Sequence, residues 1–453
     1  MIDNRIKYLN NNKINEDGTY VLYWMQQSQR IEYNHALAFA IEKANSLNLP
    51  LVIAFMLTTY PEANERHYTF MLEGLKELEI NLKKRNIKFI INIDSPIEGV
   101  YNLAKKSSLL VADKGYLKIQ RYWREELSNK VHISMMEIES DLVIPIEITS
   151  NKEEYAAYTI RKKIHKNLDD NLFSFKIPLI NTSSLELNLT TENIQDIDSL
   201  IKKLNIDSSV KKSKHFIGGY SQAIKLLDNF IENKLENYNE YRNKADLDFT
   251  SNLTPYLHFG QISPIEIALK IKKKNSNFES KLSFLEELIV RRELAFNFCY
   301  YNTDYDNYKG LKADWIFDTL DKHKLDERNY IYTKEEFEKA LTHDKVWNAC
   351  QEELMFTGKM HGYMRMYWGK KILEWSNFPE EAFNIAIYLN NKYALDGRDA
   401  NSYTGIAWCF GKHDRPWFER NIFGKVRYMN ESGLKKRFKI ENYINKVEAL
   451  KKI

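Results

Sequence analysis

"YVLYWMQQSQRIEYNHALAFAIEKANSLNLPLVIAFML", residues 20–57, begins and ends in apolar runs, at 20–25 and 50–57, with an amphipathic stretch between them. Runs this short, rich in β-branched and aromatic side chains, have the length of buried strands. The intervening "NHALAFAIEKANSL" spaces its apolar residues as a helix does. A strand, helix, strand unit joined by such a crossover makes the two strands parallel. The alternation continues outward through "KFIINI" (88–93), "SLLVAD" (108–113) and "VHISMMEI" (131–138). Residues 1–150 are therefore predicted to form an α/β domain on a parallel, Rossmann-like sheet. "SPIE" (95–98) offers an N-cap serine, a proline at the first helical position and a glutamate able to close a capping box, so a helix should start there.

Beyond 150 the composition shifts to Asn, Ser, Thr and Lys, as in "NTSSLELNLTTENIQDIDS", and residues 151–215 read as a long surface connector. From 216 to 453 the periodicity is helical almost throughout, as in "SQAIKLLDNFIENKL", "FLEELIVRRELAFNFCYY" and "EEAFNIAIYLNNKYAL". The fold class expected is α/β followed by all-α.

At 453 residues and 43% hydrophobic content the chain can bury a large core. A formal charge of +4 says little about an acidic partner, so local charge must decide that question. Cys299, Cys350 and Cys409 have neither disulfide-framework nor zinc spacing and read as buried thiols in a reducing compartment. No apolar run approaches the ~18 residues of a membrane span, and the first residues lack a signal-peptide core. A soluble, cytoplasmic monomer is expected, with no metal site.

Three segments can carry chemistry. "YNEYRNKADLDFTSNLTPYLHFGQISPIE" (238–266) gathers Tyr, Arg, Thr, Ser and Asn around a turn, where amides and hydroxyls bind phosphate and Arg242 can clamp it; an ordinary capped helix start reads equally well. "ALDGRDANSY" (394–403) places Asp396, Arg398, Asp399 and Asn401 in a polar loop between apolar helices. Such a cluster needs partners, either one another or a polar ligand. From 411 to 439 there are nine Lys or Arg against Asp414, Glu419 and Glu431, an excess of six, with Trp408 and Trp417 beside them. Positive charge interleaved with aromatic rings suits nucleic acid, although a solvated basic face has the same composition. Finally, "KMHGYMRMYWGKKILEW" (359–375) holds Trp368 and Trp375 seven residues apart, nearly on one helix face and about 10.5 Å apart along the axis. Buried packing explains such indoles on general grounds, and that spacing also suits an electron hop between rings.

These segments, in this order with "WMQQSQRIEYNHAL", "EELIVRREL" and "KHDRPW", resemble the class II cyclobutane pyrimidine dimer photolyases over essentially the whole chain. The resemblance implies a light-driven DNA repair flavoenzyme: an N-terminal domain with a site for an antenna pigment, and a helical domain holding FAD in a folded form. It does not say whether the pigment is a deazaflavin, a folate or none. It implies that reduced, anionic FAD lends an electron to the dimer, whose ring splits before the electron returns. Damaged DNA is the implied partner.

Carried over by motif, Tyr238, Arg242, Thr250, Ser251 and Leu253 hold the FAD phosphates and ribityl chain, and Asp396 and Asp399 stand near the cofactor. Asn390, or Asn391 beside it, faces the flavin N5. Glu287 bonds the carbonyl edge of the dimer; the plainer reading pairs it with Arg291 at i+4. Trp408, Trp417 and Met366 line the pocket of the everted dimer, with Arg415 on the DNA. Trp368, Trp347 and Trp375 form a relay that restores reduced flavin. The chain departs from the family pattern at Thr254, at Ala400 and Ser402, and in a segment between Trp408 and His413 that is one residue short. Two rivals on this scaffold are a cryptochrome-like sensor, disfavoured by the 13 residues after 440, and repair of the (6-4) photoproduct with His258 or His361 at the lesion. A third is a dark, DNA-binding flavoprotein.

Overall fold

The computed structural model describes residues 3–451. Six strands form one sheet in the order β1-β6-β5-β2-β3-β4: Ile6–Tyr8, Tyr20–Trp24, Leu51–Leu57, Lys88–Ile93, Ser107–Asp113 and Met135–Ile138 in chain order. β2 to β6 run parallel, as the sequence predicts. β1 does not: it pairs antiparallel with β6, Ile6 opposite Ile138, and makes the sheet mixed.

Every residue of β3 is buried. Leu51, Ile53, Phe55 and Leu57 pack in one apolar cluster while Val52, Ala54 and Met56 pack in another. The period of two thus feeds hydrophobic layers on both sheet faces, as a helix-covered parallel sheet requires. Helices α1 (His35–Ser46), α2 (Glu65–Lys83), α3 (Pro96–Ala104) and α4 (Lys118–Lys130) supply the cover. α3 starts at the predicted proline, but the capping box does not form: the Ser95 side chain caps nothing, and Glu98 pairs with Lys130 instead.

The stretch 151–215 is more than a connector. It contains the helix Ala157–Asn171, which buries Ile160 and Ile164, and the short helix Ile197–Lys203. From Tyr220 on the chain is helical, with a second large core around Trp347, Trp368 and Phe383. The two halves share packing: the Phe70 ring of α2 lies 5.0 Å from Tyr256 and 5.5 Å from Phe259. No described helix is long and apolar enough to cross a membrane. All three cysteines are free and buried.

Candidate active site

A cleft of about 870 Å³ lies among the helices of the second half, within the size range of cofactor sites. One wall is the turn 238–254. Arg242 projects from its first helical turn and donates to Ser283 Oγ at 2.7 Å and Glu287 Oε1 at 2.6 Å. Thr250 donates to Asn252 Oδ1, and Asn252 takes a left-handed backbone, φ +59°, so the chain doubles back beneath the cleft. No side chain caps the helix that starts at Thr254.

The opposite wall comes from two helix starts. Asp399 caps the helix Ala400–Cys409, accepting from the N–H and the side-chain amide of Asn401, both at 2.8 Å, and lies 3.3 Å from His258 Nδ1. Burial alone raises a carboxylate; here the hydrogen bond and charge of His258 win and hold Asp399 below its ordinary value. Asp396 takes Arg365 at 3.0 Å. Arg398, at φ +58°, points away from both and bonds the Asn391 carbonyl and His67. Apart from the Asp399–Asn401 cap, the polar loop therefore finds its partners on other helices.

Glu287 stands in a single wide turn of π geometry, Glu286–Arg291, inserted between the helices Phe278–Leu285 and Arg292–Tyr301. Such turns re-aim side chains and recur at functional sites. The pairing with Arg291 does not occur, since Arg291 bonds Glu286 and Glu287 is taken by Arg242. Buried polar atoms facing the cleft lack partners, notably His361 Nε2 and Arg365 Nε. An unsatisfied buried group is costly, so these atoms fit a polar ligand between them.

Tyr238, Arg242, Thr250, Ser251, Leu253, Glu287, Met366, Asp396, Asp399 and Trp408 all line this cleft. Asn390 does not. It is buried behind the wall, its side-chain amide bonded to the Ser402 hydroxyl, while Asn391 bonds Glu62 and the Arg398 N–H. Asn401 lines the cleft in their stead. Counting along a helix from Trp368 could not reveal this, although the loop 394–403 already carried Asn401 as a polar member. Arg415 is exposed and Trp417 half-buried, both outside the wall, and Trp417 lies between Arg415 and Arg427 with their charges 4.9 and 4.2 Å from its ring. Arg427 and Arg365 are wall residues that the sequence did not single out. No three His, Cys, Asp or Glu among the described residues are placed to hold a metal ion.

Trp347 stands between Trp368 and Trp375. Its ring is stacked on Trp368 at 6.4 Å and 6°, and meets Trp375 at 6.2 Å and 67°.

Behind Trp408 lies Lys370, fully buried, donating to the Cys409 carbonyl with its ammonium 5.1 Å from the Trp408 ring. Burial lowers its pKa to about 8 from 10.5. Below pH 8 the ammonium is charged folded and unfolded alike, and its desolvation opposes folding in full. Between pH 8 and 10.5 only the unfolded chain holds the proton, so stability rises with pH. Lys370→Met is expected to stabilise the protein at pH 7 by up to roughly 3 kcal/mol and to flatten that rise, read as Tm against pH. An unchanged slope would mean that Lys370 is not the titrating group.

A second cavity lies in the first half, at the C-terminal ends of β2, β3 and β5, lined by Trp24, Phe55, Tyr60, Trp123, Gln27 and Gln120 among others. The strand order reverses between β2 and β5, and open α/β sheets bind ligands in that crevice. His258 and Asp399 line both cavities and form the partition between them.

The DNA photolyase family model matches residues 21–180. A deoxyribodipyrimidine photo-lyase of Methanothermobacter thermautotrophicus is 45% identical over 98% of each chain. The chain belongs to the DNA photolyase family. A deoxyribodipyrimidine photo-lyase of Arabidopsis thaliana is 40% identical over 95% of this chain and 89% of its own. Among solved structures, a class III photolyase from Agrobacterium tumefaciens superposes with a TM-score of 0.75 at 17% identity, covering 95% of this chain and 86% of that one. An archaeal photolyase from Sulfolobus tokodaii, described with two FAD molecules, gives 0.72 at 17%, covering 96% and 91%. At that identity the match speaks for the fold: a photolyase architecture of α/β domain followed by helical domain.

Proposed function

We propose that the chain is a deoxyribodipyrimidine photo-lyase of the class II type, which repairs cyclobutane pyrimidine dimers in DNA in the light with FAD held in the helical cleft. The observation that carries the reading is the convergence, in one cleft, of the Arg242 turn, the Asp396 and Asp399 loop, Glu287, Met366 and Trp408. Two relatives named deoxyribodipyrimidine photo-lyase point the same way.

In this reading Arg242, Thr250 and Ser251 take the phosphates, and Arg365 and His361 offer the unpartnered nitrogens. Asn401 is the amide we assign to the isoalloxazine edge, since Asp399 fixes its orientation. FAD, when bound, supplies light absorption and the electron. The chain holds the lesion: Trp408 and Met366 receive the everted bases, and Glu287, oriented by Arg242, meets their carbonyl edge as charge develops there. Photolyases are a standard example of base flipping, so eversion belongs to the class. Eversion costs a few kcal/mol. Stacking returns about 1–3 kcal/mol per base. The two nearly cancel, leaving phosphate contacts to set affinity, which must fall with salt.

Burial pushes His361 down to about 3, so it stays neutral at physiological pH. The crevice between β2 and β5 we assign to an antenna pigment, for which its aromatic walls suit a flat ring system.

The test is an absorbance spectrum followed by repair of a thymine-dimer oligonucleotide, lit and dark. Flavin absorbance is expected, with repair by reduced protein only in the light and dimer-DNA affinity falling steeply as salt rises. A colourless chain that takes up no FAD, or equal turnover in the dark, would overturn the reading.

A further inference from the structure

The helix Gly362–Trp375 carries two adjacent lysines, and the fold treats them differently. Lys371 pairs with Glu374 at 2.5 Å. Lys370 is fully buried, donates to the Cys409 carbonyl, and has no carboxylate within ion-pair distance among the described residues. A buried ammonium without a counter-ion opposes folding, and an apolar side chain of the same length would fill the space without that penalty. Stability therefore does not account for a lysine at this position.

What the charge reaches is Trp408. The Lys370 ammonium lies 5.1 Å from the Trp408 ring, and the Arg427 guanidinium 5.2 Å from the same ring. Arg427 is bound to Asp414 at 2.9 Å, so its charge is largely offset, whereas that of Lys370 is not. Trp408 lines the cleft and Lys370 does not, so the ammonium acts on the contents of the cleft through the indole.

We propose that Lys370 is a positioning residue that polarises Trp408 and so biases the indole toward the carbonyl-rich pyrimidine dimer over an intact base. The inference rests on the lesion-site reading of the cleft. A cation beside an indole draws π density toward itself, leaving the rest of the ring less negative. An intact base stacks by its own aromatic face. A dimer has lost that aromaticity and meets the ring with carbonyl groups, whose partial negative charge is drawn to an electron-poor indole. In a dry interior a unit charge at this range is worth about a fivefold change in affinity. The groups facing the ammonium are Cys409 on the helix Ala400–Cys409 and, beyond it, Asp414 and Arg427. Arg365, on the same helix as Lys370, is taken by Asp396. Burial pushes the Cys409 thiol up to about 11, so it keeps its proton at pH 9.5, where Lys370, at about 8, has lost its own.

The experiment measures, in the dark, the affinity of the holoenzyme, Lys370→Met and Lys370→Arg for a strand with one thymine dimer and for the same strand undamaged, at pH 7 and pH 9.5. The ratio of the two affinities cancels the general weakening of phosphate contacts as pH rises. The wild-type ratio is expected to fall about fivefold between the two pH values. Lys370→Met should show the low ratio at both while melting no lower than wild type at pH 7, and Lys370→Arg, always charged, should hold the high ratio at both. A wild-type ratio that does not move with pH, or a Lys370→Met ratio equal to the wild type's at pH 7, overturns the role of the charge and leaves the lesion site standing. A wild-type protein with no preference for the dimer strand at pH 7 overturns the lesion site itself, and the bias with it.

Discussion

Trp368→Phe is expected to leave bound, oxidised FAD almost untouched by light in the presence of an external electron donor, while the same protein reduced chemically still repairs dimers near the wild-type rate. The geometry makes the expectation specific. Among the described residues Trp347 is in ring contact with both other indoles, and these contacts offer the route Trp375 to Trp347 to Trp368. Each indole N–H of the inner pair is anchored, Trp347 to the Trp368 carbonyl and Trp368 to Gln351 Oε1, both at 3.0 Å. Trp375 also meets the rings of His343 and Tyr332. Phenylalanine keeps most of the packing but leaves Gln351 Oε1 without its donor, costing about 1–3 kcal/mol of stability. A modest fall in Tm must therefore be separated from lost photoreduction. Trp347→Phe should behave alike, since it removes the middle ring. Unchanged photoreduction in both variants would reduce the three indoles to core packing.

What the sequence disclosed, and what it hid, follows from how many residues share each signal. Strands β2, β3 and β5 were legible because each is a largely apolar run buried on both faces, which leaves no alternation to misread. β1 was not: three residues, Ile-Lys-Tyr, half in water at a sheet edge, carry no period at all. The helix Ala157–Asn171 had its Ile160, Ile164, Leu168 spacing in plain view, masked by the polar composition around it. In the cleft, residues drawn from the two polar turns came together because turns at helix starts aim their groups into the same gap. Asn390 lies outside the cleft lining for a different reason. A helix places a new face every residue, so a register counted over 22 residues from Trp368 does not fix direction, and the side-chain amide is bonded to Ser402. The pairing of Glu287 with Arg242 rather than Arg291 depends on the π turn, which shifts the helical phase and has no sequence period of its own.

That pairing yields the other large effect. Glu287→Ala is expected to lower lit repair by about a hundredfold, the scale seen when one preorganised group opposite a developing oxyanion is removed, with FAD retention intact because Arg242 keeps its charge and its bond to Ser283. Arg242→Met should cost both properties. The cofactor phosphates lose a charge-assisted donor worth about 1.5–3 kcal/mol, a ten- to hundredfold loss of FAD affinity, and Glu287 loses the 2.6 Å contact that orients it. Because the two side chains act on the dimer as one unit, the double variant with FAD restored to saturation should repair no worse than Glu287→Ala alone. Single-turnover repair at saturating FAD, with flavin content measured in parallel, separates these outcomes. Full repair by Glu287→Ala removes the carboxyl from the reaction, and strictly additive losses mean that Arg242 serves the cofactor independently of Glu287.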